Sequence, residues 1–93
     1  MNNKIKDDNT DFLFECILKL QSLEDCYAFF EDLCTVPEMK AMAQRAAVAK
    51  LLHEKTVYND IVEKTGASTA TISRVKRSLA YGAGGYDIVF GKE

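Results

Sequence analysis

Gly66 separates two short helical patterns, and this pair constrains the fold more than any other feature of the sequence. The first pattern spans residues 56–65, and the second begins at about Ser68 and ends near Tyr81. A glycine at the end of a helix can adopt the left-handed conformation that often terminates it. A short helix, a turn of roughly three to four residues and a second helix form a helix-turn-helix motif. We predict this motif over residues 56–81.

Apolar residues occupy one side of each of these two patterns. In the second pattern they recur at i, i+3 and i+7, which is the spacing of a single helix face. The apolar side of the first helix holds Val57, Ile61 and Val62, of which we expect Ile61 and Val62 to pack inward. In the second helix, Ile72, Val75 and Leu79 form the predicted buried face.

The opposite side of the second helix is small near its start and basic towards its end. Small and hydroxyl side chains let a helix enter the major groove of DNA and approach base edges, and Arg and Lys then meet phosphates or guanine. The alternative is an ordinary helical hairpin with a solvated face. The predicted DNA-facing residues are Thr69, Ala70, Ser73, Arg74 and Arg77, with Lys76 on the flank.

Three further helices are predicted before the helix-turn-helix. The first begins near Thr10, which we expect to be its N-cap. The second begins at Ser22, and the third begins at Thr35, which lies three residues before Glu38 in a capping-box arrangement. These helices and the pair around Gly66 predict an all-α fold.

The two ends of the chain are less regular than its middle. We predict a flexible N-terminal arm over residues 1–9 and a single helical domain over residues 10–93. The glycines of residues 82–85 follow a helix, so we interpret them as a C-cap and linker and not as a nucleotide-binding loop. The tail, residues 86–93, has no clear helical period. It either frays or packs its apolar side chains back onto the domain.

The first two predicted helices carry more apolar surface than one short chain can bury. Residues 12–20 and 23–33 have broad apolar faces, and three adjacent large residues in the first of them cannot all face one side of a helix. A chain of 93 residues has a thin core, and association with a second copy enlarges it. We therefore predict a homodimer.

The charges are divided unevenly along the chain. The formal net charge is −2, yet residues 1–39 hold three lysines and nine acidic residues, for a net charge of −6. Residues 40–93 hold nine basic and five acidic residues, for a net charge of +4, and residues 66–81 contain three basic residues and no acidic one. A local basic patch favours nucleic-acid binding even in an acidic chain.

Several other classes of protein are disfavoured. No apolar run is long enough to span a bilayer, and the polar N-terminus lacks the order of a signal peptide, so we expect no membrane association and a cytoplasmic location. Cys16, Cys26 and Cys34 are interpreted as free thiols. The lone His53 and the absence of metal-ligand spacing predict no metal site, and no cofactor is expected. Since no nucleophile–base pair is visible, we predict no enzymatic activity.

A further set of residues, spread over positions 35–79, forms a recognisable pattern: Thr35, Glu38, Ala41, Arg45, Leu51, Leu52, Gly66, Ala67, Ala70, Thr71, Ile72, Arg74, Ser78 and Leu79. In this pattern the sequence resembles the Trp repressor family over residues 33–81. The resemblance is strongest at residues 66–79, where the run GASTATISRV is specific, and the whole chain looks most like the Trp-repressor-related branch of the YerC/YecD type.

This resemblance implies an intertwined, all-helical homodimer that binds double-stranded DNA. It also implies that Ser68, Thr69, Ala70 and Ser73 lie in the major groove. The residues that match the family's tryptophan pocket, which form the candidate effector cleft, are Thr35, Arg45, Thr71, Arg74 and Ser78.

The position after Arg74 distinguishes this chain from tryptophan-binding family members. The family's glycine there is Val75 in this sequence, and its branched side chain would project toward the space that the indole needs. We therefore predict that free L-tryptophan is not the effector, although another small-molecule effector of the same cleft stays open.

The leading hypothesis is a sequence-specific transcriptional regulator, in particular a repressor, which acts as a dimer with one recognition helix per chain in the major groove. The alternative is a helical homodimeric interaction module that keeps the fold without binding specific DNA. A salt-dependent association with duplex DNA distinguishes the two.

Overall fold

The computed structural model describes residues 4–92, and all of their regular structure is helical. The elements are α1 (Asp8–Ile17), α2 (Leu23–Leu33), α3 (Val36–His53), α4 (Tyr58–Thr65), α5 (Thr69–Tyr81) and α6 (Gly85–Phe90). The predicted all-α fold is therefore confirmed. Residues 1–3 of the predicted N-terminal arm and residue 93 at the end of the predicted domain lie outside the described residues.

The chain divides into two compact units, Met1–Met39 and Lys40–Glu93. This boundary coincides with the change in charge along the sequence, because the first unit carries −6 and the second +4. The two structural units therefore carry net charges of opposite sign.

The first helix begins earlier than the sequence analysis predicted. Its N-cap is Asp7, whose carboxylate accepts a hydrogen bond from the backbone N–H of Thr10 at 2.7 Å. Thr10, the predicted cap, lies inside α1, because an aspartate three residues upstream offers a charged acceptor to the unpaired N–H groups of the first turn. The backbone and side-chain hydrogen bonds from Thr10 lower the pKa of Asp7.

The predicted starts of α2 and α3 are confirmed. The Ser22 hydroxyl caps α2 by accepting from the backbone N–H of Asp25 at 3.0 Å. At the start of α3 the capping box is reciprocal: the Thr35 N–H donates to Glu38 Oε1 at 2.8 Å, and the Glu38 N–H donates to Thr35 Oγ1 at 3.3 Å. The backbone N–H of Thr35, followed by its hydroxyl, lowers the pKa of Glu38.

The described part of the N-terminal unit leaves its apolar side chains accessible. Neither α1 nor α2 contains a buried residue. Large apolar side chains in and beside these helices are exposed over about half of their surface or more: Phe12, Phe14, Leu18, Leu23, Tyr27 and Leu33.

The C-terminal unit holds the buried core of the described residues. The side chains of Val48, Ile61 and Val75 are almost fully enclosed, and Ala49, Ala67 and Ile72 complete the cluster. Its members come from α3, α4, α5 and the turn between α4 and α5. The core therefore fixes the two helices around Gly66 to the end of α3.

The C-terminal tail is ordered as α6, and this corrects the expectation that it lacks a helical period. Gly84, with φ of 84°, is the N-cap residue of this short helix. Tyr86 and Phe90 pack against the core, with their ring centroids 6.0 Å apart in a stacked pair. Ile88 and Val89 stay exposed. His53 at the end of α3 bonds the carbonyl of Gly91 through Nε2 at 2.8 Å. The six-residue helix was missed because it is too short to show a period.

Candidate nucleic-acid interface

The turn between α4 and α5 has the predicted conformation. Gly66 is left-handed, with φ of 68° and ψ of 11°, and its N–H donates to the carbonyl of Val62 at 2.8 Å. A side chain at this φ would be strained, since L-residues other than glycine rarely adopt it. Gly66 therefore ends α4 and starts the change of direction that leads into α5.

The start and inner face of α4 differ from the prediction. The helix begins at Tyr58, and Val57 is an extended N-cap residue outside it. Of the two residues expected to pack inward, Ile61 is buried but Val62 is 37% exposed, and Val57 on the same apolar side is 63% exposed. The eight-residue helix α4 has only one fully buried apolar side chain, that of Ile61. Val57 precedes the helix in an extended conformation, and its side chain lies outside the core.

The Thr65 side chain stabilises the turn by hydrogen bonds, a role that the sequence analysis did not predict. Its hydroxyl donates to the carbonyl of Ile61 at 2.7 Å and accepts from the N–H of Ala67 at 3.1 Å. Gln44 of α3 donates through Nε2 to the Thr65 carbonyl at 3.1 Å. The signal available in the sequence was the Thr-Gly-Ala order, because a threonine before a turn glycine can bond the backbone on both sides.

Ser68 is the N-cap of α5. Its Oγ accepts from the backbone N–H of Thr71 at 3.1 Å and lies 3.1 Å from the Thr71 hydroxyl, to which it donates. Ser68 was predicted to lie in the major groove as a contact to DNA. Its hydroxyl is already used to hold the first turn of α5, so its local role is to set the start of that helix.

The inner face of α5 is buried as predicted. Ile72 and Val75 are each 2% exposed, and Leu79 packs against the same cluster. This burial fixes the rotation of α5 about its axis, and therefore determines which side chains stay on its outer face.

The outer face of α5 is exposed and carries only positive charge. The Arg74, Lys76 and Arg77 side chains form no hydrogen bond or ion pair with the described residues, and α5 contains no acidic residue. Such a surface can approach an anionic polymer without first breaking internal salt bridges. The exposed residues of this face are Thr69, Ala70, Ser73, Arg74, Lys76 and Arg77.

Tyr58 joins the start of α4 to the start of α5. Its hydroxyl lies 2.8 Å from Thr69 Oγ1, and the tyrosine side chain is 46% exposed. The sequence analysis placed Thr69 at the interface but did not single out Tyr58, since a tyrosine eleven residues away gives no periodic signal. The structure thus adds a residue that contacts a predicted DNA-facing side chain.

The five residues of the candidate effector cleft have different local roles. The Thr35 hydroxyl takes part in the capping box with Glu38, and the Thr71 hydroxyl accepts from Ser68. Arg45 is half-buried, while Arg74 and Ser78 are exposed. Val75, the residue predicted to obstruct an indole, is enclosed in the core of the C-terminal unit.

One groove of this unit lies beside the end of α5. It has a volume of about 300 Å³ and is lined by Ser78, Gly82, Ala83, Gly85, Tyr86 and Val89. Of the predicted cleft residues it contains only Ser78. Its lining offers neither a cation nor an acid, so an ionic ligand would find no counter-charge there.

The described residues bring together no group of three or more His, Cys, Asp or Glu side chains that could hold a metal ion. Cys16, Cys26 and Cys34 are free thiols. Within residues 4–92, no helix is both long and apolar enough to cross a membrane.

Comparison with known proteins gives matches over almost the whole chain. A family model described as "Trp repressor protein" matches residues 8–93. The uncharacterized protein YerC of Bacillus subtilis (strain 168) is 51% identical over 86 residues, which are 92% of this chain and 83% of that protein.

Two solved structures are also similar. The crystal structure of a TrpR-like protein from Eubacterium eligens aligns with a TM-score of 0.90 at 57% identity, covering 96% of this chain and 92% of that one. A structure from Staphylococcus aureus aligns with a TM-score of 0.89 at 47% identity, covering 94% of this chain and 87% of that one. The helical arrangement described above is therefore shared with experimentally solved relatives.

Proposed function

The chain belongs to the Trp repressor family, and from that premise we propose that it is a sequence-specific DNA-binding transcriptional regulator. The observation that carries the proposal is the outer face of α5, where three cations with no ion-pair partner among residues 4–92 follow a patch of small side chains. Small side chains permit close approach to base edges, and cations at the far end of the helix meet the phosphate backbone.

The interface divides into contacts that select sequence and contacts that supply affinity. Thr69, Ala70 and Ser73 occupy the first turns of α5 and are exposed, so we assign them to base edges. Arg74, Lys76 and Arg77 are assigned to phosphates, whose contacts are independent of sequence and weaken as salt rises. Ser68 supports this interface by capping α5.

We further propose that the functional form is a homodimer. The described helices of the N-terminal unit bury no residue, and Phe12, Leu18 and Leu23 are each exposed over most of their surface. A second copy supplies a matching apolar surface, and a two-fold dimer presents two copies of α5 to half-sites about one helical turn apart. Two recognition helices also give a longer site than one short helix can select.

The charges of the two units support different roles for them. The net charge of −6 on the N-terminal unit repels DNA, while the C-terminal unit carries +4. We therefore assign dimerisation to the first unit and DNA binding to the second.

We propose a cytoplasmic location for the regulator. The three cysteines are free thiols, which is typical of proteins in a reducing compartment.

We propose repression as the mode of regulation, because a helix-turn-helix protein represses most simply by occupying its operator. Free L-tryptophan is not proposed as the effector, since Val75 replaces the family's glycine beside the indole. A different small-molecule effector is the alternative, and its candidate residues are those that match the family's tryptophan pocket: Thr35, Arg45, Thr71, Arg74 and Ser78.

The second candidate function is that of a protein-interaction module without specific DNA binding. The observation that favours it is the amount of exposed apolar surface on α1, α2 and the outer side of α6, where Ile88 and Val89 are exposed. Under this alternative the apolar surface would bind a different protein, and α5 would be only a solvated helix.

Enrichment of random duplexes on the purified protein tests the proposal. We expect recovery of a two-fold symmetric sequence, with an affinity for it that falls steeply as salt increases. Recovery of unrelated sequences together with salt-independent retention would favour the interaction module.

A further inference from the structure

The hydrogen bond between Tyr58 and Thr69 connects the first residues of the two helices of the motif. The two oxygen atoms are 2.8 Å apart, and each residue opens its helix, α4 in one case and α5 in the other. Both side chains are exposed, so the bond contributes little to the core, whose members are other residues. It therefore calls for an explanation other than packing.

We propose that Tyr58 is a specificity-determining positioning residue, which orients the Thr69 hydroxyl so that it donates a hydrogen bond to an acceptor on a base edge. This inference rests on the proposed function, because Thr69 must face DNA for its orientation to matter. Tyr58 acts through Thr69 and needs no base contact of its own.

The chemistry of the two hydroxyls gives the bond a direction. A phenol is more acidic than an aliphatic alcohol, so it is the better donor and the poorer acceptor. We therefore assign the Tyr58 O–H as the donor and Thr69 Oγ1 as the acceptor, so that one lone pair of the threonine oxygen is occupied. The Thr69 proton then points away from Tyr58 and is available to the outer face of α5.

The direction of this bond selects a class of base edge. A free threonine hydroxyl can donate or accept, and so it discriminates poorly among bases. With one lone pair taken by Tyr58, Thr69 keeps its one donor and a single acceptor position. The balance therefore shifts towards the acceptors N7 and O6 of guanine, N7 of adenine and O4 of thymine, and away from cytosine, which presents the N4 amino donor at the same place in the major groove.

The other hydroxyls predicted to face DNA lack this arrangement. The Ser68 hydroxyl is used in the helix cap, where it bonds both the N–H and the hydroxyl of Thr71. Ser73 is exposed and forms no hydrogen bond with the described residues, so its hydroxyl rotates freely. Among the predicted DNA-facing hydroxyls, Thr69 is thus the one whose orientation a neighbouring helix restricts.

The test measures base preference at every position of the enriched site for the full-length protein. The variants are Tyr58→Phe, which removes only the hydroxyl, Thr69→Val, which keeps the shape of the side chain, and the double variant. Tyr81→Phe is the matched control, because Tyr81 is 83% exposed and no hydrogen bond is formed by its hydroxyl within the described residues. Affinity is measured for the site and for its single-base replacements, with the salt slope and thermal midpoint recorded for each variant.

We expect Tyr58→Phe to reduce discrimination against cytosine at one position per half-site by about two- to tenfold, which corresponds to one hydrogen bond. The salt slope, the thermal midpoint and the preferences at the remaining positions should stay as in the wild type. In the Thr69→Val background, Tyr58→Phe should change nothing further. Tyr81→Phe should preserve all base preferences.

Three results would overturn the inference while leaving the proposed function intact. One is a Tyr58→Phe protein with the full preferences of the wild type. Another is a uniform loss of affinity for all sequences, which would assign Tyr58 to a phosphate or to stability. The third is a Tyr58→Phe effect that persists in the Thr69→Val background. Failure of the wild type itself to prefer any duplex is a separate result, and it would remove the proposed function and this inference together.

Discussion

Ile72 and Val75 determine, at the scale of single residues, which side of α5 meets solvent. Both are 2% exposed, and they lie three residues apart on the face that packs against α3 and α4. Burial of one face prevents α5 from rotating about its own axis. These two side chains therefore also place Arg74 and Arg77 on the exposed side of the helix. Stability and binding are thus linked through the same helix.

Replacing Ile72 with alanine should lower the free energy of unfolding by about 2–5 kcal/mol, since it leaves a cavity in the core. Chemical denaturation checks this value. Ile88→Ala is the control with the same chemical change, because Ile88 is 85% exposed and its truncation should stay within about 0.5 kcal/mol. Equal stability of the Ile72→Ala variant and the wild type would show that α5 is rotated differently.

Val75 has a separate consequence for the effector. Overpacking beside an indole costs about 1–3 kcal/mol, or up to roughly a hundredfold in affinity. We expect titration calorimetry with L-tryptophan to show no micromolar binding, and the affinity for DNA to be the same with and without it. Micromolar binding that also raised the DNA affinity would refute this, since two coupled ligands affect each other reciprocally.

The individual elements show which sequence signals were reliable. The caps at Ser22 and Thr35 were predicted because each hydroxyl precedes a helix and bonds the N–H three residues later. Ser68 makes the same bond, but the sequence analysis had assigned its side chain to DNA. The cap of α1 was misplaced because Asp7 and Thr10 are both good N-cap residues and only geometry chooses between them. The Tyr58–Thr69 bond was not predictable, since it joins residues eleven positions apart in different helices.

The capping box of α3 makes a prediction about pH. Its hydrogen bonds from Thr35 lower the pKa of Glu38 in the folded state below the ordinary value of 4.5. The stabilisation is therefore present above pH 4.5 and is lost as the pH falls through the folded-state pKa. Glu38→Gln should unfold at a lower temperature than the wild type near pH 7, and the difference should shrink as the pH falls below 4.5.

Glu31→Gln, a change of the same kind at an exposed position of α2, is the control for this pH series. Its thermal midpoint should follow that of the wild type at each pH. A Glu38→Gln difference that stayed constant down to the lowest pH would show that the charge of Glu38 does not contribute to the cap.

At the scale of the whole molecule, charge and burial divide the chain in the same place. The acidic unit Met1–Met39 exposes apolar residues on α1 and α2, and the basic unit Lys40–Glu93 contains the buried core. The sequence predicted the charge division and the excess apolar surface, because both follow from residue type. How a second chain covers that surface depends on shape, which residue type alone does not specify.

The homodimer is tested by sedimentation at micromolar concentration. We expect a single species of twice the chain mass, because obligate interfaces bury more than about 2,000 Å² and leave little folded monomer. Phe12→Lys, on the exposed face of α1, should weaken the dimer, whereas Val57→Lys, which is exposed outside α1 and α2, should preserve it. A stable wild-type monomer would contradict the dimer.

The basic outer face of α5 is the surface that we propose binds DNA. The direct measurement is the fluorescence anisotropy of a labelled duplex, the enriched site, titrated at several salt concentrations. The proteins compared are the wild type, the triple variant Arg74→Ala/Lys76→Ala/Arg77→Ala, and a control with the same loss of charge. The control is Lys19→Ala/Lys40→Ala/Lys50→Ala, whose residues are exposed and lie outside the helix-turn-helix.

We expect the wild type and the control to bind with similar affinity and similar dependence on salt. The triple variant in α5 should lose affinity for all sequences, and its salt slope should flatten by about one unit for each phosphate contact removed. Equal retention of the duplex by the wild type and the α5 variant, with the same salt slope, would contradict the account.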